Sequence, residues 1–538
     1  MIDKFFLYEE LKDILYKYQA DYPAMCRVEV IGHSYEGRGL LAVTVTNFDA
    51  GSPDDKPALY LEGNMHAGEV TSSMVCLYVL DFLLHNSHRS DIKHLLDYYT
   101  LYINPRVSPD GAEKYLTTPY TLRSSVRPYP DREVESGLVP EDIDENGLIL
   151  QMRVKHLDGN WRISGLDPRL MVQRKPDEEG AEFYHVYPEG LVRGYDGGKV
   201  TLAKALWGLD FNRNYPANWV PEHLQKGAGP YPLSEPETRA VADYVMSHPN
   251  ICVALSLHTT GEVALRPFST ADDSGLPRAD LDLYGMVAVL AKKSAAYDLI
   301  PVFGGLNKGT PSHGDFKDWA YEHLGILSLT IELWEAQVAA GIMPRSWPDR
   351  QQFLESEWES KQMALLRWND QAHGGQFFVN WERYTHPQLG EVEIGGWRRK
   401  EVLQNAPYEH REELCSRNLG FILVLASAMP RLKLYKKEFE EVEPGLWKLA
   451  VTLTNAGLLP TKVTDKAEAI GIEEVEVRLS LPSSAFLIDG VLVQKLGHLE
   501  SQGERRVSWL IKAESGSEVV IKASSSRAGK IKHVLHAK

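Results

Sequence analysis

The chain has 538 residues, of which 43% are hydrophobic and 25% charged. At about 100–200 residues per domain this gives two to four domains with real cores, and excludes both wholesale disorder and a disulfide-stapled miniature. Fifty-eight Lys and Arg against 74 Asp and Glu leave a formal charge of −16; without a local basic patch, a non-specific nucleic-acid binder is excluded as well.

The N-terminus carries acids at Asp3, Glu9 and Glu10 where a secretion signal needs a basic start and an unbroken apolar stretch. Four cysteines (Cys26, Cys76, Cys252, Cys415) form no C-x-x-C pair, which suits a reducing compartment, so a cytoplasmic location is expected. From Phe5 to Tyr18 apolar residues recur at helical spacing, and alternating segments follow at Val28–Ile31 and Leu41–Val45. Pro57–Gly63 reads as a buried strand, Val70–His85 as a helix and Tyr99–Ile103 as the next strand; further on come a helix at Ala240–Met246, a strand at Ile251–Leu257, a helix at Leu281–Tyr297 and a strand at Ile326–Leu333. The longest apolar runs, Met74–Leu80 and Phe421–Met429, fall well short of the ~20 residues that span a bilayer, so no membrane partner is expected. The fold class is therefore α/β, a mixed, mostly parallel sheet with helices on both faces. Residues 128–204 break into Pro, Gly and acidic pieces that read as inserted material, and past about residue 430 alternating runs such as Leu446–Asn455 predict a C-terminal β-sandwich. The expected division is a catalytic domain over 1–428 and an accessory sandwich over 429–538.

Chemistry concentrates at strand ends. His66 and Glu69 lie in the loop between the strand ending at Gly63 and the helix starting near Val70, where open α/β sheets place ligands. His258 directly follows the strand Ile251–Leu257, and a His, Glu, His set leaves the fourth position of a zinc ion open, as catalysis requires. Asn212 and Arg213, side by side in Asp210-Phe-Asn-Arg-Asn, form a fork suited to a carboxylate. Glu332 interrupts the apolar run Ile326–Trp334, and an ionisable group there is costly unless it has a task such as general base.

The order His66-x-x-Glu69, Ser108-Pro-Asp-Gly111, Asp210-x-Asn-Arg-Asn, His258, Asp318-Trp319 and Thr330-Ile-Glu332 resembles the zinc carboxypeptidase family of metallopeptidases over about residues 5–370. The resemblance implies one zinc per chain on His66, Glu69 and His258, with Asp210 orienting His66 and Glu332 as general base. It implies Asn212 and Arg213 on the terminal carboxylate of a peptide or an N-acyl amino acid. It also implies an arginine for the tetrahedral oxyanion: Arg153, which ends a strand-like segment, is preferred, and Arg123, at the right distance from Gly111 but in a loop, is the competitor. The residue before Asp318-Trp319 matches the base of the family's side-chain pocket, and Lys317 there implies a preference for C-terminal Glu or Asp.

Two features depart from the family: the segment Gly304–Trp319 lacks its lid tyrosine, leaving His313 as either a substitute hydrogen-bonding group or an ordinary loop histidine, and the 128–204 insertion is extra. Asp142, Asp144 and Asn146 before Gly147 resemble half of a calcium loop, but the twelfth position is Arg153 where a bidentate Glu is needed, so an Asn-Gly hairpin turn is the preferred reading. The expected activity is removal of C-terminal residues from peptides; the alternatives are a zinc amidohydrolase, deacylase or cell-wall γ-glutamyl peptidase, and, less favoured because all ligands are present, a non-catalytic binding protein.

Overall fold

The computed structural model describes residues 2–134, 136–179, 182–354 and 358–537. Its central sheet has eight strands in the order Cys26–His33, Gly39–Val45, Thr100–Asn104, Ala58–Gly63, Ile251–His258, Leu327–Glu332, Val263–Arg266, Leu299–Pro301. The middle of the sheet is parallel, and antiparallel pairings join Cys26–His33 to Gly39–Val45, Gly39–Val45 to Thr100–Asn104, and Val263–Arg266 to Leu327–Glu332.

Both faces are covered because both sets of alternating side chains are apolar. Leu59, Leu61, Val253, Leu255, Leu327 and Leu329 point into one core with the helices Val70–His85, Arg278–Ala295 and Tyr408–Ala428. Ala58, Tyr60, Ile251 and Ala254 point into the other, with Pro236–Ser247 and Phe316–Leu324. Gly63 marks where the helix Val70–His85 presses on the sheet: a Cβ there would lie 2.8 Å from the Ser72 carbonyl, so the strand must end on glycine for the helix to sit where it does.

The inserted material does not decorate this sheet. Its strands Gln151–Lys155, Trp161–Ile163, Met171–Gln173 and Phe183–Pro188 build a separate six-stranded sheet with the hairpin Phe378–His386 and Gly390–Trp397, a partnership absent from the sequence reading. The Asn146-Gly147 hairpin is likewise corrected. Gly137–Pro140 pairs with Gly190–Arg193 and Gln151–Lys155 with its own sheet, so the loop between them joins two sheets. Backbone N–H groups occupy the acids here: Asp142 of the loop accepts from Asn146 and Gly147 N–H, and Glu189, just before the strand Gly190–Arg193, accepts from Ile143 and Leu150 N–H.

From Leu432 onward two four-stranded antiparallel sheets face each other across a core that includes Trp447, Leu449, Val477, Ile511 and Ile521, which is a β-sandwich. It meets the rest of the chain through Leu459 and Val463, which join the larger core on one face of the central sheet, and through Arg527, whose guanidinium donates to the carbonyls of Leu324 and Gly325.

Candidate active site

Register brings the chemistry together. In the three central parallel strands Leu257 pairs with Gly63 and His258 with Glu332, so the loop after Gly63, the last residue of Ile251–His258 and the last residue of Leu327–Glu332 share one edge. His66, Glu69 and His258 are all buried there. His66 Nδ1 lies 2.9 Å from Glu69 Oε1, and His258 Nδ1 lies 2.9 Å from Glu69 Oε2 and 3.0 Å from His66 Nδ1.

Two imidazole nitrogens facing each other across a shared carboxylate suit a cation between them better than a hydrogen-bond network, because only one of the two nitrogens can point a proton at the other. The far nitrogens agree. His66 Nε2–H donates to Asp210 Oδ1 at 3.1 Å, and His258 Nε2 meets Ser256 Oγ at 3.0 Å, which in turn donates to Glu62 Oε1 at 2.9 Å. With both Nε2 atoms anchored, both Nδ1 lone pairs are directed to one point. The donor set therefore fits one zinc ion.

Glu332 is partly buried beside His258, and its Oε2 accepts the Thr260 N–H at 3.0 Å. Burial, reinforced by the charge of Glu69 and opposed by His258, pushes its carboxyl up to about 7, near the value a general base needs at neutral pH. Asp210 behaves oppositely: burial would raise it, but Arg123, His66 and Arg213 outweigh that and hold it well below the ordinary carboxylate range.

The arginine expectation is corrected. Arg153 lies in the six-stranded sheet, donating to Glu393 Oε2 at 2.8 Å and the Pro168 carbonyl at 3.2 Å and stacking on Trp381; its strand belongs to the insertion and carries it away from the cluster. Arg123 is the arginine at the site. Its Nε donates to Asp210 Oδ2 at 2.8 Å, its Nη1 lies 3.8 Å from Glu69 Oε1, and its carbonyl accepts from Ala67 N–H, tying its loop to the ligand loop.

Asn212 and Arg213 form a single 3₁₀ turn capped by Asp210, whose Oδ1 accepts the Asn212 N–H, so one carboxylate orients His66 and starts this turn. The Asn212 side-chain oxygen accepts from Phe316 N–H, and Arg213 Nη1 donates to the Asn212 carbonyl. Lys317 departs from expectation. It is fully buried, donates to Asp318 Oδ1 (2.6 Å) and Ser269 Oγ (2.9 Å), and lies 3.2 Å from Asp315 Oδ2. It is a neutralised lysine rather than a free cation. His313 donates to the Asn218 carbonyl, away from the ligand cluster. Asp110 of the Ser-Pro-Asp-Gly segment accepts from Ser34, Glu36 and Arg38, a structural pin rather than a chemical group.

Sequence reasoning missed the residues that hold the ligand loop. Asn64 Nδ2 donates to the His66 and Ala67 carbonyls, and Asn405, from far along the chain, accepts from Thr71 N–H and donates to the Gly68 carbonyl. It also missed Glu62 and Ser256. The signal for Glu62 was present: an acid directly after the apolar run Ala58–Leu61 within a buried strand, the same anomaly that singled out Glu332.

A family model described as zinc carboxypeptidase matches residues 11–364, and a model for a domain of unknown function matches 431–536. Carboxypeptidase B of Astacus astacus is 24% identical over 328 residues, 61% of this chain and 85% of that protein. Carboxypeptidase B of Rattus norvegicus is 22% identical over 353 residues, 64% and 66%. Among solved structures, that of thrombin activatable fibrinolysis inhibitor aligns with TM-score 0.46 and 16% identity, covering 79% of this chain and 74% of its own. The site and fold define a metal-dependent hydrolase of the α/β type. The chain belongs to the zinc carboxypeptidase family, whose members use one zinc ion per chain.

Proposed function

We propose that the protein removes single C-terminal residues from peptides, with His66, Glu69 and His258 holding the zinc and Glu332 as general base. The observation that carries this is the convergence of three buried ligands with Glu332 on the adjacent strand end, next to an Asn-Arg pair able to hold a carboxylate. Bound here, zinc supplies Lewis acidity toward the scissile carbonyl and lowers the pKa of a water. Glu332 takes that water's proton and returns it to the leaving amine. Arg123, fixed on Asp210, offers its remaining N–H groups to the developing oxyanion, while Asn212 and Arg213 orient the substrate's terminal carboxylate.

A preference for acidic C-terminal residues loses its support. Lys317, Asp315 and Asp318 together carry one net negative charge when ionised, so an acidic side chain brought beside them meets repulsion rather than a cation. We therefore place C-terminal Glu and Asp among the poorer substrates. The free, buried state of all four cysteines supports a cytoplasmic setting, which fractionation of intact cells tests. Among the described residues no helix is long and apolar enough to cross a membrane.

The decisive experiment measures metal content and amino-acid release together, on peptides ending in Glu, Phe and Arg, for wild type and Glu332→Gln. Near one zinc per chain in both proteins, single-residue release by wild type with Glu the slowest, and loss of turnover in the variant are expected. Zinc without any C-terminal release would overturn the carboxypeptidase reading, and fastest release of Glu would restore the acidic preference.

A further inference from the structure

Outside the catalytic cluster, His156, Asp158 and His185 bring two imidazoles and a carboxylate together, with one donor atom from each within 4.8 Å of the others. They stand at one end of a strand pair. His185 lies on the strand Phe183–Pro188, opposite Val154 of the paired strand Gln151–Lys155; His156 is the residue just beyond that second strand, and Asp158 occupies the turn that follows. The turn is pinned by His156 N–H to the Phe183 carbonyl (2.9 Å) and Gly159 N–H to the His156 carbonyl (3.1 Å). A Cβ at position 159 would lie 2.4 Å from Tyr184 N, so only glycine permits this approach.

Both imidazoles address the same oxygen: Asp158 Oδ1 meets His156 Nδ1 and lies 3.0 Å from His185 Nε2, and the two rings lie 5.4 Å apart. The side chains are 58%, 75% and 22% exposed for His156, Asp158 and His185. At such exposure ion pairs and hydrogen bonds contribute little to stability, about 0–1 kcal/mol, so folding alone gives small reason for this convergence. Two nitrogens and one oxygen are instead the donor set that borderline divalent ions favour, and the open side leaves room for waters to complete the coordination. Strand pairing holds the backbone at His185, and the His156 and Gly159 N–H bonds hold the turn that carries His156 and Asp158, so less ordering remains to oppose binding.

We propose that His156, Asp158 and His185 form a second metal site, for a divalent transition ion of the zinc, nickel or copper class, separate from the catalytic centre. All three residues belong to the insertion's sheet and none contacts the His66, Glu69 and His258 cluster, so this site and the catalytic reading stand or fall independently. The ion bridges the turn at 156–159 to the neighbouring strand and acts there as a clip on the insertion.

The test uses untagged full-length protein carrying its zinc, titrated with Ni²⁺ in a calorimeter, for wild type, His156→Asn, Asp158→Asn and His185→Asn. Wild type is expected to take one more Ni²⁺ per chain than His156→Asn or His185→Asn, with Asp158→Asn binding at least ten-fold more weakly. Cu²⁺ at one added equivalent should give an electron paramagnetic resonance spectrum with coupling to two nitrogens, reduced to one in His185→Asn. Unfolding midpoints without added metal should agree among the four proteins, and added Ni²⁺ should raise the wild-type value most, that of Asp158→Asn less, and those of the two histidine variants not at all. Peptide hydrolysis should be unchanged. Equal Ni²⁺ stoichiometry and affinity in all four proteins would overturn the proposal, as would a two-nitrogen copper signal that survives in His185→Asn.

Discussion

Replacing Glu62 by Gln should have opposite effects on folding stability and on metal affinity. Glu62 is fully buried, with Oε2 accepting from Tyr60 Oη and Oε1 from Ser256 Oγ, both at 2.9 Å. Burial pushes its carboxyl from 4.5 up to about 7, so the folded protein keeps a proton that the unfolded chain releases. Glu62 therefore costs nothing below about pH 4.5, and its cost grows as pH rises from there and levels off above about 7. At 1.36 kcal/mol per pH unit, ionised Glu62 costs about 3 kcal/mol above that pH. Glutamine keeps the shape without the charge, so metal-free Glu62→Gln should match wild type at pH 4.5 and exceed it by up to about 3 kcal/mol at pH 8. The metal responds the other way. As an acceptor, Glu62 turns the Ser256 hydroxyl proton toward itself, Ser256 Oγ then accepts from His258 Nε2–H, and the lone pair on His258 Nδ1 faces the ligand cluster. A glutamine amide can donate to Ser256, turn its hydroxyl toward His258 Nε2 and put the ring proton on Nδ1, so zinc affinity should fall about 10–100-fold. Denaturant unfolding of the metal-free protein across pH and chelator competition for zinc read the two effects separately. Equal destabilisation at both pH values together with unchanged zinc affinity would refute the reasoning.

Because Glu332 must be ionised to act as base and its carboxyl is pushed up to about 7 before metal adds its attraction, kcat/KM should fall on the acid side with a limb at or below about pH 7; a limb above pH 8 would contradict the assignment. Arg123→Ala should lower kcat about 10²–10³-fold, whereas Arg153→Ala should leave kcat intact and cost roughly 1–3 kcal/mol through the stranded Glu393 contact; comparable kcat losses in the two variants would contradict the assignment of Arg123. Ending the chain after residue 428 removes Leu459 and Val463 from the larger core, a loss of about 4 kcal/mol, along with the Arg527 contacts; the truncated protein should aggregate or unfold at a lower temperature, and a soluble truncation with wild-type midpoint and kcat would show that residues 429–538 form a separable unit.

What could be read from the sequence followed from rules that act locally. Period-two alternation and helical spacing placed the central strands and their helices within a few residues, because a strand buried on both faces and the helix that covers it each leave a pattern within ten or fifteen positions. The ligand cluster was legible for the same reason. His66 and Glu69 are three residues apart, His258 ends one apolar run and Glu332 interrupts another, so topology alone carries them to one edge.

The unread part depends on partners distant in sequence. Arg153 ends an alternating segment, as an oxyanion arginine on a strand would, but its sheet is completed by Phe378–Trp397, more than two hundred residues later, and only that pairing reveals that it belongs to another layer. Lys317 poses the same difficulty in charge. Asp315 and Asp318 flank it in sequence, yet flanking side chains on a helix diverge unless the turn folds them together. Here Asp315 caps the helix Phe316–Leu324, accepting the Asp318 N–H, and so places its carboxylate back over Lys317. A cation counted from the sequence as an attraction for acidic substrates is thus neutralised by the cap that starts its own helix, and the local charge is fixed by that turn rather than by the residue type.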